Sequence, residues 1–436
     1  MRDRPPLALV PQYFGCTVFD RRNSHYLPFD QELTGVLLRV CEAPFNSIVG
    51  EEPNPQRREA LERFFDHFYS LGFFTTGLKF AGEVVNVTPP PDHLLGPLAV
   101  HLEIVAACNL ACTHCFAGQL PRREQPLTMA ELDTLFATLA RMGSYRLGLT
   151  GGEPLLRYDL FEIVDRATEH GLCPCLTTNG LLITEQNARE FGRRNLVWLN
   201  VSLEGATAET NDRVRGAGTF DRVVANLRTL RRHTRFTLAF TVMSTNVNEV
   251  EACAELAAHV GAESAVFRPL YPVGVARHHP DLMPTFAEYT GAVDRLAAMA
   301  CDGEPELRSL DPFGPHTRTE TQSVVHENYG CGAGNLVCSI SVSGDVNPCS
   351  FLGPEFAASN LRRHPFDEIW HNSHRFREIR ALPGNGQGTS TFDGGCRARS
   401  LVFAGSVNAP DPWIAGVSHN ARHHPLAVLE ISARRP

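Results

Sequence analysis

Six strand-like runs alternate with helical ones between residues 98 and 268, and no other feature limits the fold of this chain as much. The runs are 98–105, 145–150, 172–178, 197–203, 236–243 and 264–268. Successive strand–helix units imply an α/β fold built on one parallel sheet with right-handed crossovers. In such folds ligands bind at the C-terminal ends of the strands. The first helix of the series opens with Thr128-Met129-Ala130-Glu131, which has the spacing of a capping box.

Residues 1–88 read as a unit of their own. It is closed by Thr88-Pro89-Pro90-Pro91-Asp92, a stretch that continues neither helix nor strand ladder. Runs 13–19 and 25–29 flank the polar turn Asp20-Arg21-Arg22-Asn23-Ser24 as in a β-hairpin, and apolar spacing predicts helices over 31–41 and 57–71. At 436 residues, with 43% hydrophobic and 20% charged side chains, the chain has room for two or three domains of ordinary globular type. Its balance of 48 acidic against 40 basic groups gives no reason to expect nucleic acid. No apolar run approaches the roughly 18–20 residues needed to span a bilayer, and Met1-Arg2-Asp3-Arg4 begins no secretion signal, so a cytoplasmic protein without membrane partners is expected. In that compartment thirteen cysteines read as metal ligands or free thiols before disulfides. His278-His279 and His423-His424 stand beside prolines without ligand spacing and read as surface residues.

The chemistry begins directly after the first predicted strand, at Cys108-Asn109-Leu110-Ala111-Cys112-Thr113-His114-Cys115. Three thiolates on one short loop can hold three irons of a cubane cluster and leave the fourth open. Zinc is the alternative, although a structural zinc takes four ligands. Further along stand Thr150-Gly151-Gly152-Glu153-Pro154, Thr177-Thr178-Asn179-Gly180, and Val201-Ser202-Leu203-Glu204-Gly205, followed by Asn211-Asp212-Arg213-Val214-Arg215-Gly216. Each of the first three lies at a predicted strand end. The C-x3-C-x2-C loop and these strand-end motifs, in this order, resemble the radical S-adenosylmethionine (SAM) enzymes, which share an open partial (β/α)6 barrel.

That resemblance implies a [4Fe-4S] cluster on Cys108, Cys112 and Cys115 whose open iron chelates SAM and cleaves it to a 5′-deoxyadenosyl radical. It implies that Gly151, Gly152 and Glu153 receive the SAM amino group, that Ser202 bonds the ribose, that Arg215 reaches the carboxylate, and that His114 takes the usually aromatic position against the adenine. Where the family more often has aspartate this chain has Glu204, whose role stays open. Cys173, Cys175 and Thr177 share one strand face. A thiol there could donate a hydrogen atom, but buried structural cysteine is the commoner case. A role for Cys301 is likewise open.

A last constellation is Cys331, Cys338, Gly344-Asp345-Val346-Asn347-Pro348-Cys349 and Gly394-Gly395-Cys396-Arg397. With the stretch around Asn360, Phe366 to Trp370 and Arg380, and with Asp411-Pro412, it resembles the SPASM extension of peptide-modifying radical SAM enzymes. By that resemblance Cys331, Cys338, Cys349 and Cys396 hold one auxiliary [4Fe-4S] cluster. Four cysteines could instead bind zinc. Residues 386–393 carry no cysteine where the family usually has three, so a second auxiliary cluster is not expected and the total is two. The domains expected are 1–88, resembling a winged-helix-like leader-peptide recognition domain, with a generic winged-helix or dimerisation domain as the alternative; 97–300, the partial barrel; and 301–436, the SPASM-like extension. The function implied is modification of a ribosomally synthesised precursor peptide by crosslinking, excision or epimerisation, with a flavodoxin- or ferredoxin-like electron donor. The peptide would add as a strand to the N-terminal hairpin and feed its core to the barrel. A maturase of protein side chains and a non-catalytic iron–sulfur redox sensor are the alternatives.

Overall fold

The computed structural model describes residues 4–117, 125–194, 196–299, 305–309, 331–382 and 395–413. Its first sheet has the order β3-β2-β1-β4. Strands β1 (Leu7–Gln12), β2 (Gly15–Asp20) and β3 (His25–Asp30) are antiparallel, and β4 (Gly82–Val84) runs parallel to β1. Helices α1 (Gln31–Glu42), α2 (Phe45–Gly50) and α3 (Pro55–Ser70) complete this unit. The predicted hairpin is β2–β3, with Asp20 to Ser24 between the strands. Tyr13 and Phe14, however, belong to the turn from β1 into β2. Gly15 at φ +146° makes that turn possible, since a Cβ would stand 2.3 Å from the Phe29 carbonyl oxygen. Helix α3 starts two residues before the expected position, with Pro55 in its first turn and the Asn54 side chain accepting from the amides of Gln56 and Arg57.

The second sheet has ten strands in the order β11-β10-β9-β8-β7-β6-β5-β12-β13-β14. The six predicted strands are β5 (Ala99–Val105), β6 (Arg146–Gly151), β7 (Cys173–Thr178), β8 (Trp198–Ser202), β9 (Thr237–Val242) and β10 (Ser264–Pro269), all parallel. Six α-helices stand between them: α4 (Met129–Arg141), α5 (Leu160–Glu169), α6 (Glu185–Gly192), α7 (Ala208–Arg215), α8 (Thr219–Leu230) and α9 (Val250–Val260). The capping box at α4 is present in both directions, with Thr128 and Glu131 each accepting the other's amide. Beyond the prediction, β11 (Glu306–Ser309) extends the parallel series past β10, after helix α10 (Phe286–Met299). On the other side β12 (Val337–Ile340) pairs parallel to β5, then β13 (Asp345–Asn347) and β14 (Ser359–Asn360) follow antiparallel. The C-terminal region therefore continues the barrel sheet, and helices α11 (Phe366–Asn372), α12 (His374–Arg380) and α13 (Arg397–Ala404) pack beside it.

The proline-rich break at 88–92 separates the first unit in sequence but not in space. One apolar core runs from Ala8, Val10, Phe19 and Tyr26 into Leu98, Val100, Leu147 and Leu172 of the barrel. The Tyr26 hydroxyl donates to the Gly143 carbonyl (2.9 Å) and accepts from the Tyr145 amide (2.7 Å). Arg146 reaches back from the start of β6 to the Ser24 carbonyl and lies over the rings of Tyr26 and Trp198. The β2–β3 turn thus closes the floor of the barrel, opposite the strand ends where the motifs lie.

Candidate active site

The cysteine loop leaves β5 and lies against the end of β6. The amide of Gly152 donates to the Val105 carbonyl (2.6 Å) and that of Glu153 to the Ala107 carbonyl (2.8 Å). Side chains are excluded here, because a Cβ on Gly151 would stand 2.2 Å from the Val105 oxygen and one on Gly152 2.1 Å from that of Ala107. Glycines at 151 and 152 are thus needed to bring the strand edge onto the residues that lead into Cys108. The loop is fastened further by Thr113 N to the Val214 carbonyl (3.1 Å) and Val275 N to the Cys115 carbonyl (2.8 Å).

Glu153 is buried, and its carboxylate ties the segment after β6 to the end of β7. It accepts from Leu155 N, from the Thr178 hydroxyl (2.6 Å) and from Asn179 N (2.7 Å). Burial raises its pKa, and these hydrogen bonds and nearby Arg215 oppose the rise. Asn179 in turn donates to the Asn109 side chain (2.7 Å), so the Thr-Thr-Asn-Gly motif positions the cysteine loop. At the end of β8, Glu204 has a place that sequence alone left open. Its Oε1 meets His114 Nε2 at 3.1 Å and Arg215 Nη1 at 3.3 Å, and its Oε2 accepts from Thr241 N at 2.7 Å. One buried carboxylate therefore orients two of the residues expected to contact SAM, His114 and Arg215. Ser202 lies partly buried two residues before it.

The three thiols of the loop are close enough to act on one another. Burial pushes Cys112 up to about 11, Arg215 draws it down, and Cys115 and Cys108 add smaller upward effects. Two buried polar atoms at this place, His114 Nδ1 and Arg215 Nε, make no hydrogen bond, as expected of groups that turn to a ligand. Among the described residues no three His, Cys, Asp or Glu side chains converge as around a single ion. A cubane takes its thiolates one per iron at its corners, so the residues fit an iron–sulfur cluster with a polar organic ligand beside it.

The second cysteine set is also assembled. Cys331, Cys349 and Cys396 belong to one apolar cluster, and the charges of Cys349 and Cys331, of Cys396 and Cys331, and of Cys338 and Cys349 act on each other. Burial raises Cys338 and Cys349 and pushes Cys396 up to about 11, with Arg380 favouring the thiolate at Cys338 and Arg399 at Cys396. Arg399 and Asp411 are fully buried and paired at 2.8 Å, and Asp411 also accepts from Cys396 N at 2.6 Å. In the sequence Asp411 stands out only as half of an Asp-Pro pair. Phe116, Tyr271 and Phe351 join the same apolar cluster, Tyr271 stacking on Phe351 at 4.1 Å, so a continuous aromatic contact links the residue after Cys115 to the second residue after Cys349. Cys173 and Cys175 lie deeper, with burial pushing them to about 11 and 12, and the Cys173 thiol faces the Arg21 carbonyl at the floor. Cys301 and residues 386–393 are outside the described residues.

Residues 102–257 match the Radical SAM superfamily and residues 331–397 match SPASM, an iron–sulfur cluster-binding domain. The chain is 34% identical over 326 residues to the mycofactocin maturase MftC of Mycolicibacterium smegmatis, covering 72% of this chain and 82% of that one. It is 32% identical over 343 residues to the AdoMet-dependent heme synthase of Methanosarcina barkeri, covering 73% and 96%. Among solved structures, Streptococcus suis SuiB bound to S-adenosylmethionine has the same fold at a TM-score of 0.70 and 14% identity, over 94% of this chain and 99% of that one. A radical SAM domain carries a SAM-binding [4Fe-4S] cluster, and a SPASM domain carries auxiliary iron–sulfur clusters. Motif order, barrel and similarity agree that this chain is a member of the radical SAM superfamily with a SPASM domain.

Proposed function

We propose that this chain is a radical SAM maturase that modifies a ribosomally synthesised precursor peptide. The observation that carries the reading is a sheet edge on the N-terminal unit that no other described strand covers, built onto a radical SAM barrel. Strand β3 ends the N-terminal sheet, with Pro28 in it, as edge strands tolerate, and exposed Tyr69 and Leu71 lie at the end of α3. A peptide leader can add there as a strand while its core enters the barrel. The likeness to MftC, named a maturase, and the fold shared with SuiB, a protein also solved bound to its precursor peptide SuiA, support it.

In this reading residues 1–88 recognise the leader, 97–300 form the barrel and 301–436 the auxiliary-cluster domain. Cys108, Cys112 and Cys115 hold the first cluster, which supplies the electron that cleaves SAM to a 5′-deoxyadenosyl radical. Gly151, Gly152 and Glu153 present the strand edge to the SAM ammonium group. Ser202 meets the ribose, Arg215 the carboxylate and His114 the adenine, with Glu204 setting the directions of Arg215 and His114. Cys331, Cys338, Cys349 and Cys396 hold a single auxiliary cluster, so the total is two. The protein would work in the cytoplasm with a flavodoxin- or ferredoxin-like donor, without nucleic acid or membrane. Among the described residues no helix is long and apolar enough to cross a membrane.

The likeness to a heme synthase favours a second reading, a small-molecule substrate such as a tetrapyrrole. The test is anaerobic reconstitution followed by reaction of the reduced enzyme with SAM and a leader-bearing precursor, watched by mass spectrometry. About eight irons per chain, 5′-deoxyadenosine, and a mass change in the full precursor but not in its leaderless core are expected. Replacing Cys108, Cys112 and Cys115 by alanine should halve the iron and stop SAM cleavage. Equal modification of the leaderless core removes the leader role from the N-terminal unit, and turnover of a tetrapyrrole with no change in any peptide moves the second reading ahead.

A further inference from the structure

Inside the barrel stands a guanidinium, that of Arg268, with no hydrogen-bond or ion-pair partner among the described residues. Arg268 stands near the end of β10, where Ser264, Val266 and Arg268 alternate with the core residues Ala265 and Phe267, so its side chain turns to the barrel interior. It is level with Thr241 of β9, whose amide holds Glu204. Its Nε is buried without a hydrogen bond, and no described carboxylate forms an ion pair with it. The side chain is enclosed by protein yet keeps some accessible surface, as a group lining an internal space does. Burial holds it below the usual arginine value, and the groups that favour its charge are Tyr271, Cys175 and Glu204. None of them neutralises it. Cys175 is pushed up to about 12 and stays a thiol, and Glu204 is engaged by His114, Arg215 and Thr241.

On the floor side stands His101, held neutral by burial, with Arg268 and Arg146 both disfavouring its protonation. His101 pairs in register with Gly148, and Gly148 with Cys175, so these residues form one layer below Arg268. Glu103, on the same face of β5, has an interaction of its own. Arg268 therefore lies on the interior face of the barrel, above the His101 layer and level with the residues that hold Glu204. A buried guanidinium without a counter-charge is costly, and a planar carboxylate, which it can grip with two parallel hydrogen bonds, is its best complement.

We propose that Arg268 is the anchor for a carboxylate of the substrate, either the C-terminal carboxylate of a peptide or an acidic side chain within it. This rests on the reading of the barrel as the chamber that receives a peptide, and it adds which chemical group of that peptide is gripped. The anchor fixes the position of the neighbouring carbon–hydrogen bonds relative to the SAM site, and so selects the residue that is modified.

The test is calorimetry on the reconstituted, unreduced, SAM-loaded enzyme with four synthetic probes. Acetyl-Ala-Ala-Phe is compared as free acid and as amide, and acetyl-Ala-Glu-Ala amide is compared with acetyl-Ala-Gln-Ala amide. In the parent at least one acid should bind tenfold or more tighter than its neutral partner, and which pair shows the preference tells the C-terminal from the side-chain source. Arg268→Gln should reduce that ratio below threefold at unchanged iron content, while Arg268→Lys, which keeps the charge, should retain part of it. No preference in the parent, or the same preference in Arg268→Gln, overturns the proposal. So does a tenfold loss of SAM affinity in Arg268→Gln, which would assign the guanidinium to SAM itself. These ratios do not depend on radical chemistry, whereas the proposed function is judged separately by 5′-deoxyadenosine formation on reduction.

Discussion

Replacing Asp411 by asparagine should unseat the auxiliary cysteine set. Its carboxylate takes Arg399 Nη2 at 2.8 Å, Arg399 Nε at 3.0 Å from either oxygen, Cys396 N at 2.6 Å and Trp413 N at 3.0 Å, with both partners of the ion pair fully buried. Asparagine has one acceptor oxygen and puts an N–H₂ where a second acceptor stood, so Arg399 loses its counter-charge and at least one donor is left unpaired. Breaking a buried pair from one side costs about 3–5 kcal/mol. The same site gives a control, because replacing both members by apolar residues of similar volume is often near neutral. The double variant Arg399→Met, Asp411→Leu should therefore recover much of the stability lost in Asp411→Asn, but not the acceptor for Cys396 N. Trp413, whose ring lies 4.2 Å from the Arg399 guanidinium, is a local fluorescence reporter. Denaturant titration should show Asp411→Asn least stable and the double variant intermediate, with both binding less iron than the parent. An Asp411→Asn protein within about 1 kcal/mol of the parent and with full iron would refute the claim that this pair holds Cys396 in place.

Three further outcomes are expected. Tyr26→Phe leaves the Tyr145 amide and the Gly143 carbonyl without their partner, at about 1–3 kcal/mol for each buried unsatisfied group; hydrogen exchange should then quicken across β1–β3, and unchanged protection would show that the floor contact contributes nothing. His101 has its folded pKa lowered to about 4 against 6.5 unfolded, so its contribution is complete above pH 6.5 and is lost as pH falls toward 4, about 3 kcal/mol in all. His101→Asn should flatten melting temperature against pH in that window, and an identical slope would exclude His101 as the source. Arg215→Ala should weaken SAM binding by about 2–5 kcal/mol, thirtyfold or more, at unchanged iron by equilibrium dialysis; parent-like affinity would shift the carboxylate role elsewhere.

Motifs were readable where chemistry demands a residue type at a fixed spacing. The cysteine loop and the Gly-Gly-Glu turn are such cases, because thiolates and side-chain-free backbone have no substitutes there. The six barrel strands were readable for a different reason, their apolar runs being bounded by helical periodicity. Strand β1 was missed because Leu7 to Val10 is buried on both faces and shows no alternation. Strands β11 to β14 were missed because they are two to four residues long and owe their strand form to the sheet they extend. The importance of Glu204, Asp411 and Arg268 is invisible in sequence, since each depends on partners, or the lack of one, set by the tertiary fold.

The pairing of β5 with β12 has a consequence for how the chain is made. One side of β5 is covered by β6 soon after it emerges, but the other waits for a strand about 230 residues later. At 5–20 residues per second that interval is roughly 10–50 s on the ribosome. Throughout it the central sheet has a bare, apolar edge, the kind that recruits a second chain. Newly made protein should therefore be most at risk of clumping before residue 340 appears, and chains cut short just upstream of β12 should collect in inclusion bodies while the full-length product does not.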